Sequence, residues 1–200
     1  MADHRELHVD LGTGDGKFVL RCARANSDRL HVGVDALEEP MAESIRRAAS
    51  KPARGGVPNA SFTVADALRP PASLAGRATL VTVNYPWGSL LRAVAAPESS
   101  GLRAIAGLLR PEGRVVALLN ASASDDSAYA EKLDLPPLDG EHVERSLVPG
   151  WREAGLEVLE ARVLGPGEEP PHRTSWGQRL VRGSGRETLL VSAVRPSASS

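Results

Sequence analysis

The residues best suited to chemistry in this 200-residue sequence lie near its start. Asp10-Leu11-Gly12-Thr13-Gly14-Asp15-Gly16-Lys17 sets three alternating glycines behind an acid that ends a short apolar run. Such a turn lets backbone approach a ligand closely and aims the N–H groups of the following helix at it. A dinucleotide fingerprint needs glycine where Lys17 stands, so the spacing argues against NAD and FAD. Asp35, at the end of the next apolar run, is where an acid accepts hydrogen bonds from ribose hydroxyls. An ordinary tight turn for Gly12, Gly14 and Gly16, and a helix-start acid for Asp35, are the competing readings. The five histidines, His4, His8, His31, His142 and His172, show no metal-ligand spacing, and a single cysteine, Cys22, excludes an internal disulfide. No metal site is expected.

The elements that must hold this turn follow from hydrophobic periodicity. Leu7–Leu11 reads as a strand, Gly16 to about Asn26 as a helix and Leu30–Asp35 as a second strand, one βαβ unit. Glu38–Ser50 reads as a helix, and Ala60–Val64 and Ala78–Val83 as strands, the latter ending at Asn84-Tyr85-Pro86-Trp87-Gly88. Ser99–Arg110 puts Leu102, Ile105, Ala106 and Leu109 on one helical face, and Pro111–Gly113 turns it into the strand Arg114–Asn120. Residues 121–140 read as a connection with room for a short helix. Glu141–Gly155 reads as a helix with Trp151 on its packed side, and Leu156–Leu164 and Thr188–Val194 as the last strands. The long segment Gly165–Glu187 between them has a length that usually carries function. The pattern predicts an α/β fold: a doubly wound, mostly parallel seven-stranded sheet with a closing antiparallel strand. One domain over residues 1–196 and a disordered tail at 197–200 are expected.

Composition narrows the class. With 42% hydrophobic and 24% charged residues, the chain is neither wholly disordered nor collagen-like nor a coiled coil. No apolar leader opens the sequence and no run approaches a membrane span, so a cytoplasmic protein is expected. The net charge of −1 hides a segregation. Between Glu43 and Asp66 the charges are Arg46, Arg47, Lys51 and Arg54, and between Glu169 and Glu187 they are Arg173, Arg179, Arg182 and Arg186. Two purely basic blocks suit a polyanion surface. Of the 24 basic residues three are lysines, a bias that favours phosphate forks and that a GC-rich genome would also produce.

The G-x-G-x-G turn behind Asp10 resembles motif I of the class I S-adenosyl-L-methionine (SAM)-dependent methyltransferases. In that reading Asp10 lies near the methionine end of the cofactor and Asp66 near the adenine, although Asp66 equally reads as a turn cap. Four further blocks, Lys51–Asn59, Tyr85–Arg92, Pro149–Leu156 and Thr174–Leu180, join Asp10–Lys17 and Gly33–Asp35 in order along most of the chain. Together they resemble the 16S rRNA (adenine 1408-N1) methyltransferases that confer aminoglycoside resistance.

The resemblance implies a Rossmann-like fold that docks on the assembled 30S ribosomal subunit, flips one adenine of the 16S rRNA decoding site and methylates its N1. Kanamycin and apramycin resistance would follow. It assigns SAM to Asp10, Gly12, Thr13, Gly14, Gly16, Asp35, Ala36, Ala65, Asp66, Asn84 and Pro86. Adenine N1 has an in-plane lone pair and no proton, so orientation rather than a general base does the catalysis. Trp87 and Trp176 are the implied stacking surfaces for the extruded base. Arg46, Arg47, Lys51, Arg54, Arg92, Arg179, Arg182 and Arg186 are the implied RNA contacts. A monomer that binds neither membrane nor DNA is expected. Relatives often carry an N-terminal hairpin extension, where this sequence has a few residues before its first strand, and some have basic residues where Ser184 and Gly185 stand. Weaker docking would follow from both. A SAM- and RNA-binding regulatory or assembly protein with little turnover, and a methyltransferase for another RNA or a small molecule, are the alternatives.

Overall fold

Six strands of one sheet point the same way and the seventh runs against both its neighbours. They are β1 (Glu6–Leu11), β2 (Arg29–Asp35), β3 (Ala60–Val64), β4 (Ala78–Asn84), β5 (Leu109–Asn120), β6 (Glu157–Val163) and β7 (Thr188–Val194). Their spatial order is β3-β2-β1-β4-β5-β7-β6. The antiparallel strand β7 therefore sits between β5 and β6, and the sheet edge belongs to β6. This computed structural model describes residues 6–96, 100–165, 168–171 and 187–197.

The helices are α1 (Lys17–Ala25), α2 (Glu38–Ala49), α3 (Gly88–Ala95), α4 (Ser100–Leu108), α5 (Ser127–Leu133), α6 (Gly140–His142) and α7 (Val148–Glu153). A π-helical stretch, Val143–Leu147, links the last two. From β1 the chain winds outward through β2 and β3, then returns to lay β4 on the other side of β1. That reversal opens a crevice beyond the C-terminal ends of β1 and β4, where such sheets bind ligands. Leu7, Val9 and Leu11 of β1 enter the main core with Val81 and Val83 of β4. His8 and Asp10, at the alternate positions, are buried too.

Most expected elements form within a residue or two of their expected ends, and the departures have local causes. The apolar pattern does not predict helix α3, yet Leu90, Leu91 and Val94 bury one side of it. Helix α4 stops at Leu108 rather than running to Arg110, because Leu109 is fully buried as the ladder partner of Ala78. The next pair is Leu80 with Arg114, so the Pro111–Gly113 turn is an excursion inside β5, with Glu112 at φ +64°. Trp151 is fully buried and donates Nε1–H to the Val94 carbonyl at 3.0 Å, the packing role expected of it.

The histidines are less scattered than their sequence spacing implied: the parallel β1–β2 register sets His8 directly beside His31. Of the long segment 165–187, residues 166–167 and 172–186 lie outside the described residues, as do 198–200 of the tail. Ser197 donates to Glu112 at 3.1 Å. Among the described residues no helix is long and apolar enough to cross a membrane.

Candidate functional site

The turn after β1 is built from backbone. Gly12, Gly14 and Gly16 have φ of +69°, +58° and +69°, so every second residue is left-handed, a conformation that residues with a Cβ resist. At Gly16 a Cβ would also stand 2.5 Å from the Phe62 ring. The Val34 carbonyl accepts the N–H groups of Gly12 at 2.9 Å and Thr13 at 3.1 Å. Asp35 completes the support: Oδ2 accepts Gly14 N–H at 2.8 Å and Oδ1 accepts Leu37 N–H at 3.1 Å. Asp35 thus braces the turn itself, and each oxygen keeps a further lone pair for a ligand.

This turn walls a cleft of about 310 Å³ at the crevice. Each of four adjacent strands delivers one polar group there, either from its last turn of ladder or just after it: Asp10 of β1, Asp35 of β2, Asp66 after β3 and Asn84 of β4. Asp10 is buried and accepts hydrogen bonds from Thr82 Oγ1 at 2.6 Å and Asn84 Nδ2 at 3.0 Å, both on Oδ1. Loss of water outweighs those bonds and pushes its carboxyl up to about 6. Asn84 Oδ1 is buried without a hydrogen-bond partner among the described residues, an acceptor that awaits a donor. Asp66 accepts Leu68 N–H at 2.9 Å and pairs with Arg69, so it caps its turn while lining the cleft. Those contacts hold its carboxyl below the usual range, the Leu68 N–H first among them.

Of the expected cofactor residues, Asp10, Gly12, Thr13, Gly14, Asp35, Ala36, Asp66, Asn84 and Pro86 line the cleft. Gly16 and Ala65 do not. Gly16 is packed under Phe62, and Ala65 spends its N–H on the Asp35 carbonyl while its side chain meets the core. Asp15, Phe18, Ala67, Tyr85, Ser89 and Leu90 line the cleft as well, beyond the expected residues. Phe18, Ser89 and Leu90 lie on helices that start at the cleft, a position that the unrecognised α3 concealed in part.

The lip of the cleft is held under strain. Tyr85 sits at φ +49°, an outlier for a bulky residue. Its N–H donates to the Leu118 carbonyl at 2.7 Å, and its ring is buried with Leu118, Leu164 and Leu190. The chain thereby swings outward at Pro86 and leaves Trp87 52% exposed at the start of α3. Trp87 is thus a surface aromatic bordering the cleft rather than a core residue. Trp176 lies outside the described residues.

Beyond α1 and α2, a shallow hollow of about 320 Å³ gathers Arg24, Arg46, Arg47 and Arg54. Arg24 comes from α1, a distant segment, which is why charge blocks along the sequence did not show it. Arg46 and Arg47 both bond Glu43, at 2.7 and 3.3 Å, and Arg46 does most to hold that carboxyl below its ordinary value. Lys51 is exposed beside the hollow, and Arg92 pairs with Asp134 at 2.9 Å. Arg179, Arg182 and Arg186 lie outside the described residues.

Among the described residues neither lysine nor arginine lines the cleft, whereas Asp10, Asp15, Asp35 and Asp66 do. That lining repels phosphate and suits a nucleoside that carries positive charge. SAM, with its sulfonium and α-ammonium groups, fits this donor set, and the chain is a SAM-dependent methyltransferase of Rossmann-like type. Comparison with known proteins narrows the class. Residues 1–195 match the family model described as NpmA: 16S rRNA (adenine(1408)-N(1))-methyltransferase, and the chain belongs to that family. It is 37% identical to the enzyme of that description from Streptoalloteichus tenebrarius, over 95% of this chain and 87% of the relative. It resembles the crystal structure of the aminoglycoside resistance methyltransferase NpmB1 with TM-score 0.83 at 40% identity, over 97% and 89% of the two chains. A variant of the Catenulisporales acidiphilia enzyme crystallised with its cosubstrate SAM gives TM-score 0.87 at 32% identity, over 100% and 89%.

Proposed function

We propose that this enzyme methylates N1 of adenine 1408 of 16S rRNA within the assembled 30S subunit, with Trp87 stacked on the extruded base. The observation that carries this reading is an exposed indole at the rim of an acid-lined nucleoside cleft, on a lip whose strained Tyr85 is anchored in the core.

SAM supplies an electrophilic methyl group when bound. The residues of this chain then have three tasks. Asp10 and the unpartnered Asn84 Oδ1 would accept hydrogen bonds from the ammonium end, and Asp35, which braces the glycine turn, would accept from the ribose hydroxyls. Trp87 presents a ring face that replaces part of the stacking an adenine loses on leaving its helix, a few kcal/mol. Adenine N1 attacks through its own lone pair, so no side chain is needed as a base. The product gains positive charge, which an indole face favours by about 0.5–2 kcal/mol. Arg24, Arg46, Arg47, Arg54 and Lys51 offer a cationic face that grips phosphates of folded RNA.

A methyl group on N1 blocks an edge that aminoglycosides use and adds charge to it, so resistance to kanamycin and apramycin accompanies the activity. The test is incorporation of labelled methyl into purified 30S subunits and, separately, into deproteinised 16S rRNA, with the modified nucleotide mapped by primer extension. Incorporation into subunits with a stop at adenine 1408 is expected. Equal labelling of the free rRNA contradicts the subunit as substrate, and a stop elsewhere contradicts the target.

A further inference from the structure

Beneath the glycine turn lies a buried polar cluster that methyl transfer does not use. His8 and His31 are 2% and 1% exposed, and their Nδ1 atoms are 2.9 Å apart. Cys22 reaches the pair from α1. One ring nitrogen of each histidine and the Cys22 sulfur all lie within 4.8 Å of one another. Two imidazoles and a thiolate are donors that zinc accepts. Two nitrogens bound at zinc distances in a tetrahedral site stand roughly 3.3 Å apart, so the pair needs to open by only a few tenths of an ångström.

A separate observation supports the same reading. His8 Nε2 lies 2.8 Å from Thr82 Oγ1, whose one hydrogen goes to Asp10 Oδ1 at 2.6 Å. Thr82 must then accept from His8, so Nε2 carries the ring proton and Nδ1 turns its lone pair toward His31. Metal-bound histidines have this arrangement, with the outer N–H held by a hydrogen bond that leads to a carboxylate. Cys22 is half-buried rather than enclosed.

We propose that His8, His31 and Cys22 form a binding site for one zinc-like divalent cation, tying β1, α1 and β2 together under the cofactor cleft. On binding, Cys22 releases its thiol proton to solvent and His31 carries its ring hydrogen on Nε2. One proton therefore leaves per ion, and a water completes the shell.

Titration of the reduced full-length protein with cobalt(II) tests this. One equivalent should bind with a thiolate-to-cobalt charge-transfer band, displaced by zinc, and zinc should raise the unfolding midpoint by roughly 5 °C. Cys22→Ser should lose both effects, and His31→Asn should lose or shift the band, each with SAM affinity retained as the check on folding. Absence of the band in the wild type, or an unchanged band in His31→Asn, overturns the site. Should His31→Asn fail to fold, X-ray absorption of the cobalt-loaded wild type decides: two imidazoles and one sulfur support the site, and any other shell overturns it.

Discussion

Tyr129 stands edge-on to Trp87, with ring centroids 5.4 Å apart at an interplanar angle of 64°, while its hydroxyl accepts the Gly88 N–H at 2.9 Å. One side chain from α5 thereby holds both the indole and the backbone just beyond it, so the lip is fixed from two sides. Trp87→Ala is expected to lower methyl transfer by about 10–100-fold, the worth of 1–3 kcal/mol of base stacking, with SAM affinity within a few-fold. Tyr129→Phe keeps the ring contact and should cost less than Tyr129→Ala. Single-turnover rates on 30S subunits beside calorimetry for SAM separate the two quantities. Equal losses in Tyr129→Phe and Tyr129→Ala would mean that the hydroxyl alone matters.

Asp10, if it meets the SAM ammonium as proposed, is expected to make cofactor binding pH-dependent. Its buried carboxyl titrates at about 6 in the free protein against an ordinary value of 3.8, with the Asp35 charge adding to the rise. The folded state therefore holds a proton that the unfolded state releases. Stability from this group is full below pH 4 and is lost as pH rises through about 6, a change of about 3 kcal/mol. Binding of a cationic ligand runs the other way, because it needs the ionised carboxylate. SAM affinity should rise about tenfold per unit up to pH 6 and level off above it. Asp10→Asn should flatten both curves, as read by thermal melts and calorimetry between pH 4 and 7.5. A SAM affinity independent of pH in the wild type would contradict the assignment.

Asp35→Ala leaves Gly14 N–H and Leu37 N–H without their acceptor. A weakening of SAM binding by about 10–100-fold is expected, with about 1–3 kcal/mol of stability lost. Asp35→Asn should recover part of the stability and less of the affinity, since its amide offers one acceptor oxygen where the carboxylate has two.

How much of this was legible in the sequence depends on whether the signal was local. The βαβ unit and its glycine turn were readable because strand alternation and left-handed glycines are properties of neighbouring residues. Nine of the eleven cofactor residues that the family resemblance implied line the cleft. Helix α3 was hidden by the turn residues Pro86 and Gly88 that open it. The π-helical stretch at Val143–Leu147 has no marker in the apolar pattern. Pairs such as His8 with His31, and Arg24 with Arg54, exist through strand register and helix packing, which spacing along the chain cannot reveal. The family resemblance did what periodicity could not, since it attached a substrate to the tryptophans and the basic blocks.

The hollow formed by Arg24, Arg46, Arg47 and Arg54 should govern how tightly subunits bind. Arg46→Glu with Arg54→Glu is expected to weaken 30S binding and flatten its salt dependence by about 0.7–0.9 log units per phosphate contact removed. SAM affinity should not move. Filter binding across a salt series gives the slope, and an unchanged slope would remove this face from the docking surface.

Trp87 and the acid-lined cleft are expected to act together on one adenine of the small subunit. Mapping of labelled methyl on purified 30S subunits, with wild type and Trp87→Ala side by side at saturating SAM, tests it most directly. Modification at N1 of adenine 1408 is expected with the wild type, at a rate about 10–100-fold lower with the variant. Modification by Trp87→Ala at the wild-type rate, or label at any other nucleotide with the wild type, would contradict this reading.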